Sequence, residues 1–138
     1  AAGFAVVACD DRPGTLTPEW VPGVYDRRLV DYKNLSELCP IGPRDLVVVA
    51  TAGHKSDIDV VIQAMRAKPA YLGCLGSRRK TAFVRARLEQ EGFTQEQIDE
   101  LHLPIGVAIE AEDPEEIAIS IAAEMIHLRR TQLVPRKR

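Results

Sequence analysis

Residues 70–92 read AYLGCLGSRRKTAFVRARLEQEG, and the order of residue types in this stretch decides the architecture. Ala70–Leu75 is a short apolar run with the composition of a strand covered on both faces. Gly76 breaks it, and Ser77 offers a side-chain oxygen that can cap a helix. A helical run over 77–91 then ends at Gly92, a residue suited to the left-handed turn after a helix. One feature is out of place. Arg78, Arg79 and Lys80 stand in the first helical turn, where the helix dipole disfavours cations. They are either solvated surface or the grip on an anion.

The same alternation of strand and helix extends outward in both directions. FAVVAC (4–9) is a second apolar run, closed by the turn-like DDRPG. DRRLVDY (26–32) is a weaker strand, and DLVVVAT (45–51) is the clearest buried one. SDIDVVIQAMRAK (56–68) reads as a helix capped at Ser56–Asp57 and stopped before Pro69, with Ile58, Val61, Ile62 and Met65 on one face. Thr94 and Gln97 form a capping box for a short helix ending near His102. HLPIG (102–106) is extended, either a short strand at the sheet edge or a lid. DPEEIAISIAAEMIHLRR (113–130) has Asp113 as cap, Pro114 at the first helical position and Glu116 closing the box. Its small, apolar middle predicts deep packing.

This alternation predicts an α/β, doubly wound, mostly parallel sheet. Residues 1–130 form one domain and 131–138 a basic tail. The opening AAGF reads as the end of a helix and a turn into a strand, and no G-x-G-x-x-G turn precedes the first strand. The chain is therefore expected to begin inside its fold, without the first strand–helix unit. A smaller fold that starts with this strand is the alternative. The sheet edge such a truncation exposes invites pairing between chains, so a homodimer is expected.

Composition narrows the function classes. With 138 residues and 46% hydrophobic content, one proper core can form. Net charge is −2 and aromatics are 5%, so the basic cluster is local, and neither a nucleic-acid face nor a base-stacking platform is expected. The three cysteines, Cys9, Cys39 and Cys74, are an odd number without a C-x-x-C spacing, which suits a reduced, cytoplasmic protein. No apolar run approaches the ~18 residues of a membrane span.

In open parallel sheets, ligands gather beyond the carboxyl ends of the strands. Asp10 and Asp11 end the first strand, where dinucleotide folds hold a ribose; the alternative is a turn acid paired with Arg12. His54 and Asp57 follow the central strand, with His54 placed to donate to a phosphate or move a proton, and Asp57 to orient it or cap the helix. Two such residues are too few for a metal site. Gly76, Ser77, Arg78, Arg79 and Lys80 follow the next strand, where glycine lets a ligand approach the backbone and free helix amides point outward. A helix end alone contributes about 0.3–1 kcal/mol with an anion. Two or three charge-assisted contacts at ~1.5–3 kcal/mol each bring the site toward the roughly −8 kcal/mol of micromolar binding. Cys74 reads as buried core, and His102 and His127 as structural residues without an obvious partner.

TAGHKSD, YLGCLGSRRK, LHLPIG and DPEEIAISIAAEMIHLRR occur here in one order. Together they resemble the carboxyl-terminal, Rossmann-like domain of the XdhC/CoxI family, from about Phe4 to Arg130. Those are accessory proteins of xanthine dehydrogenase, carbon monoxide dehydrogenase and related molybdenum hydroxylases. The resemblance implies a chaperone rather than a turnover enzyme, one that binds the molybdenum cofactor (molybdopterin), promotes its sulfurated form and delivers it to the apo-hydroxylase. A sulfur-transfer protein is an implied second partner. The cofactor carries a phosphate, which fits a site at Gly76–Lys80. Thr51, Gly53, His54, Asp57, Gly76, Ser77, Arg78, Arg79 and Lys80 match the family's motif positions, as do Pro104, Ile105, Gly106, Pro114 and Glu115 later on. The family's upstream glycine turn and cysteine-bearing amino-terminal domain have no counterpart in these residues. An NAD(P)-binding oxidoreductase domain is the runner-up, motivated by Asp10 and the strand order.

Overall fold

The computed structural model describes residues 3–51 and 53–133, apart from the side chains of His54 and Leu133; strands and helices alternate through them. β1 (Val7–Asp10) and β2 (Asp26–Leu29) pair in parallel, Cys9 standing opposite Arg28. β3 (Leu46–Val49) and β4 (Tyr71–Cys74) form a second parallel pair, with Leu46 opposite Tyr71 and Val49 opposite Cys74. Between them runs α1 (His54–Ala67); α2 (Arg78–Gln90) and the short α3 (Gln95–Asp99) follow β4. The last helix, α4 (Pro114–Leu128), continues into a π-helical turn, Arg129–Leu133. Residues 134–138 of the expected basic tail lie outside the described residues. No helix of the described residues is long and apolar enough to cross a membrane.

The sheet is two parallel pairs rather than one continuous ladder. β1 and β3 face each other across a cavity of ≈ 620 Å³. HLPIG runs along the edge of β4 with one isolated bridge and forms no strand of its own. Gly73 and His102 form a parallel bridge, the His102 amide donates to the Leu72 carbonyl at 3.0 Å, and the Cys74 amide donates to the His102 carbonyl at 3.2 Å.

The core lies between α1 and the second pair. Ile58, Val61 and Ala64 of α1 are buried against Val49, Leu72 and the Val84 and Leu88 face of α2. Each Val, Leu or Ile side chain among them contributes about 1.5–3 kcal/mol on leaving water. Gln63 of α1 also pins the β2–β3 connection, accepting from the Leu35 amide at 2.8 Å and donating to the Tyr32 carbonyl at 2.5 Å.

The caps follow the sequence at three helices. Ser77 accepts from the Lys80 amide at 3.3 Å, and Thr94–Gln97 and Asp113–Glu116 form complete capping boxes. At α1 they do not. The helix begins two residues earlier than expected, with Gly53 in extended backbone (φ −156°) as its cap and no side-chain cap bond. The Asp57 carboxylate that was to serve the helix end turns inward instead.

The deep packing expected of α4 is not found. Only Ser120 and Leu128 of this helix are buried, and Ile119 is 63% exposed. The reason is the width of the sheet. Two strands and the 102–105 edge offer α4 a narrow strip, where Leu128, Ile121 and Met125 meet Tyr71, Ile105 and Leu46.

Candidate functional site

The carboxyl ends of β3 and β4 meet through one buried carboxylate. Asp57 is fully buried in the first turn of α1. Its Oδ1 accepts from the Thr51 amide at 2.8 Å and the Thr51 hydroxyl at 2.6 Å. Its Oδ2 has no aligned hydrogen-bond donor, and the Lys80 ammonium lies against it as an ion pair. Lys80 reaches down from the first turn of α2, and its side chain is only 14% exposed. The loop after β3 and the start of α2 are thus locked together through Thr51, Asp57 and Lys80. Thr51 also donates from its hydroxyl to the Gly53 carbonyl at 3.0 Å, shaping the turn into α1.

The three cations therefore divide. Lys80 is committed to Asp57, whereas Arg78 and Arg79 are exposed and no carboxylate of a described residue pairs with them. Their backbone amides belong to the first turn, which has no intrahelical acceptors to offer. Two guanidinium groups and two amides at one helix start can meet the oxygens of a phosphate. Gly76 also has a part within the fold. A Cβ there would meet the Lys80 stem at 2.5 Å, so the missing side chain makes room for lysine.

At the end of β1 the acids behave differently. Asp10 is clamped by Arg12, which donates from its amide at 2.9 Å, Nε at 3.1 Å and Nη2 at 2.9 Å. The Arg12 guanidinium holds the Asp10 carboxyl below its ordinary range. Asp11 is exposed beside it. The Tyr32 hydroxyl faces these acids, and burial, then Asp10, pushes its pKa up. Asp10 and Thr51 line the cavity between β1 and β3 together; Gly76–Lys80 are not part of that lining. His54 is the first residue of α1, and its side chain lies outside the described residues. Among the described residues no three His, Cys, Asp or Glu side chains gather as a metal site would require.

His102 does have a partner. Its Nδ1 lies 3.0 Å from Glu124 Oε1, and its ring stacks on Tyr71 with centroids 4.4 Å apart. The same Glu124 oxygen accepts from the Tyr71 hydroxyl at 2.6 Å and the Gly106 amide at 3.1 Å. Burial and the Glu124 carboxylate push the Tyr71 phenol well above its ordinary value. This cluster fastens α4 to the edge of β4. Its members come from three separate segments, so spacing along the chain gave no signal of it.

The family model described as the XdhC Rossmann domain matches residues 1–125. The chain belongs to the XdhC Rossmann domain family. Among proteins similar to this XdhC Rossmann domain is the molybdenum cofactor insertion chaperone PaoD of Escherichia coli K12, 29% identical over 76% of this chain and 33% of that protein. A probable xanthine dehydrogenase subunit of Bacillus subtilis 168 is 31% identical over 93% of this chain and 37% of that protein. The uncharacterized protein YqeB of Escherichia coli K12 is 32% identical over 92% of this chain and 23% of that protein. A crystal structure of a xanthine dehydrogenase from Bacillus halodurans superposes with a TM-score of 0.79 at 30% identity, covering 94% of this chain and 36% of that one. This XdhC Rossmann domain thus spans between 23% and 37% of the length of these relatives. The two parallel pairs and their helices are a small Rossmann-like unit.

Proposed function

We propose that this chain is the cofactor-gripping domain of a maturation chaperone that inserts molybdenum cofactor into a xanthine or carbon monoxide dehydrogenase-type hydroxylase. The observation that carries the reading is the pair of exposed guanidinium groups, Arg78 and Arg79, unmatched by any described carboxylate at the start of α2. The likeness to a protein named as a molybdenum cofactor insertion chaperone supports it.

The cofactor's phosphate would rest on Arg78, Arg79 and the Ser77–Arg79 turn, with Gly53 and His54 on the neighbouring loop. Thr51, Asp57, Gly76 and Lys80 act beneath, holding the two loops at a fixed separation. Two charge-assisted contacts and a helix end amount to about 3–7 kcal/mol. That range runs from millimolar to about ten-micromolar binding, and the pterin ring supplies whatever a tighter grip requires. This reading gives the ring end of the guest to Asp10 and Asp11, at the carboxyl end of β1. A sulfur-transfer protein and a second copy of the chain are the further partners of this reading.

Full-length protein purified from cells that make the cofactor should carry a pterin, released by acid and measured by fluorescence. Protein free of pterin under conditions that load the client hydroxylase would contradict the proposal. An NAD(P)-binding oxidoreductase domain is the second reading, and saturable NAD(P) binding with hydride transfer to a substrate would favour it over the first.

A further inference from the structure

Cys9 and Cys39 are thirty residues apart in the chain, yet their sulfurs lie 3.1 Å from each other. Both are free thiols and both are half-buried. Both line the ≈ 620 Å³ cavity between β1 and β3, which gives a small molecule access to them. Arg28 stands opposite Cys9 across the β1–β2 pair. Its guanidinium donates from Nη1 to the carbonyl of Leu38, the residue before Cys39, at 3.3 Å. A positive group is therefore fixed beside Cys39, and Asp26 holds that group through Nε at 3.0 Å. Cys74, by contrast, is buried and does not line that cavity.

We propose that Cys39 and Cys9 form a thiol–disulfide exchange site, with Cys39 as the attacking sulfur, Cys9 as the resolving sulfur, and a small glutathione-type disulfide as the substrate. Neither residue has a part in the proposed cofactor grip, and the inference stands apart from it. The asymmetry of the pair supports the order of attack. The Cys9 thiol donates to Cys39, and that bond, aided by Arg28 and opposed by burial and Asp45, lowers the Cys39 pKa. The same bond, with burial, pushes Cys9 upward and keeps it a thiol. A thiolate near cationic charge is the reactive form of cysteine.

The chemistry closes without a further reagent. The Cys39 thiolate attacks one sulfur of the disulfide. The disulfide's S–S bond breaks, a Cys39 mixed disulfide forms, and one thiolate leaves with the electron pair and takes a proton from water. Cys9 then loses its proton to solvent and attacks Cys39 Sγ. The mixed bond breaks, a second thiolate leaves, and Cys9 and Cys39 are joined. Two protein thiols are oxidised, and one disulfide is reduced to two thiols. The product ties the end of β1, next to Asp10, to the segment after the 3-10 turn Leu35–Glu37.

The full chain is incubated with glutathione disulfide, quenched in acid and mapped by mass spectrometry, with circular dichroism to confirm the fold of each variant. The wild type should lose two hydrogens and yield a Cys9–Cys39 linked peptide, without a lasting glutathione adduct. Cys9→Ser should trap one glutathione on Cys39, and Cys39→Ser should react at least about tenfold more slowly. Wild-type protein that stays reduced, or that collects glutathione on Cys9 as fast as on Cys39, would overturn the assignment.

Discussion

The Lys80 side chain occupies the space that a side chain on Gly76 would need. A Cβ at Gly76 would stand 2.5 Å from Lys80 Cδ and 3.0 Å from Cγ. Lys80 cannot swing aside without leaving Asp57, which is fully buried. Glycine is demanded here by an ion pair four residues away rather than by its own backbone. Gly76→Ala is expected to destabilise the protein by about 1–3 kcal/mol. In a Lys80→Ala background the penalty should nearly vanish. Urea denaturation of the four proteins gives the coupling directly, and equal penalties in both backgrounds would refute this account of Gly76.

Lys80→Met tests the pair itself. The substitution keeps the stem and removes the charge, leaving Asp57 with only the two Thr51 donors. Breaking one side of a buried pair costs about 3–5 kcal/mol. Chemical denaturation should show a loss in that range. A loss below about 1 kcal/mol, the worth of an exposed pair, would mean that water reaches Asp57.

Tyr71→Phe tests the anchor of α4. Tyr71 is 2% exposed and its hydroxyl donates to the Glu124 carboxylate at 2.6 Å. Hydrogen bonds to charged groups are worth about 1.5–3 kcal/mol. The thermal midpoint should fall accordingly, while His102→Ala should lower it through the lost ring stack. An unchanged midpoint in Tyr71→Phe would show that α4 is held elsewhere.

Much of the fold was legible because its signals are local. Ser77, Thr94 and Asp113 are followed at the right spacing by their amide partners, and all three cap as read. Three strands fall inside the runs read as strands, each trimmed by a few residues, and β1 starts three residues into its run and extends one residue past it, to Asp10. What was hidden is non-local. Asp57 looked like a helix cap, but the Thr51 donors and Lys80 draw it inward. The depth of α4 was overstated because composition gives a helix's apolarity but not the width of sheet it meets. Tyr71 and Glu124 are 53 residues apart, and no periodicity links them. Asp10 was readable in outline, since a pairing with Arg12 two residues on was already one of its two options.

Alkaline stability should report on Cys74. Burial, then the charge of Asp57, pushes its thiol from 9.0 to about 11. A raised acid stays neutral longer in the folded state than in the unfolded one. Its contribution is therefore complete below pH 9 and is lost as pH rises from 9 to about 11. The wild type should lose about 2–3 kcal/mol more than Cys74→Ala between pH 8.5 and 11. Tyr71 titrates in both proteins and cancels in the difference. Parallel curves for the two proteins would contradict this prediction.

The grip of Arg78 and Arg79 on a phosphorylated guest is measured most directly by titrating isolated molybdenum cofactor into the full-length protein and into its Arg78→Ala, Arg79→Ala double variant. Arg85→Ala serves as the control, because Arg85 lies two turns beyond the start of α2 and is paired with Asp99 of α3. Losing two charge-assisted contacts should weaken binding by about 100- to 10,000-fold in the double variant and leave the control unchanged. Equal dissociation constants for the wild type and the double variant would contradict the account.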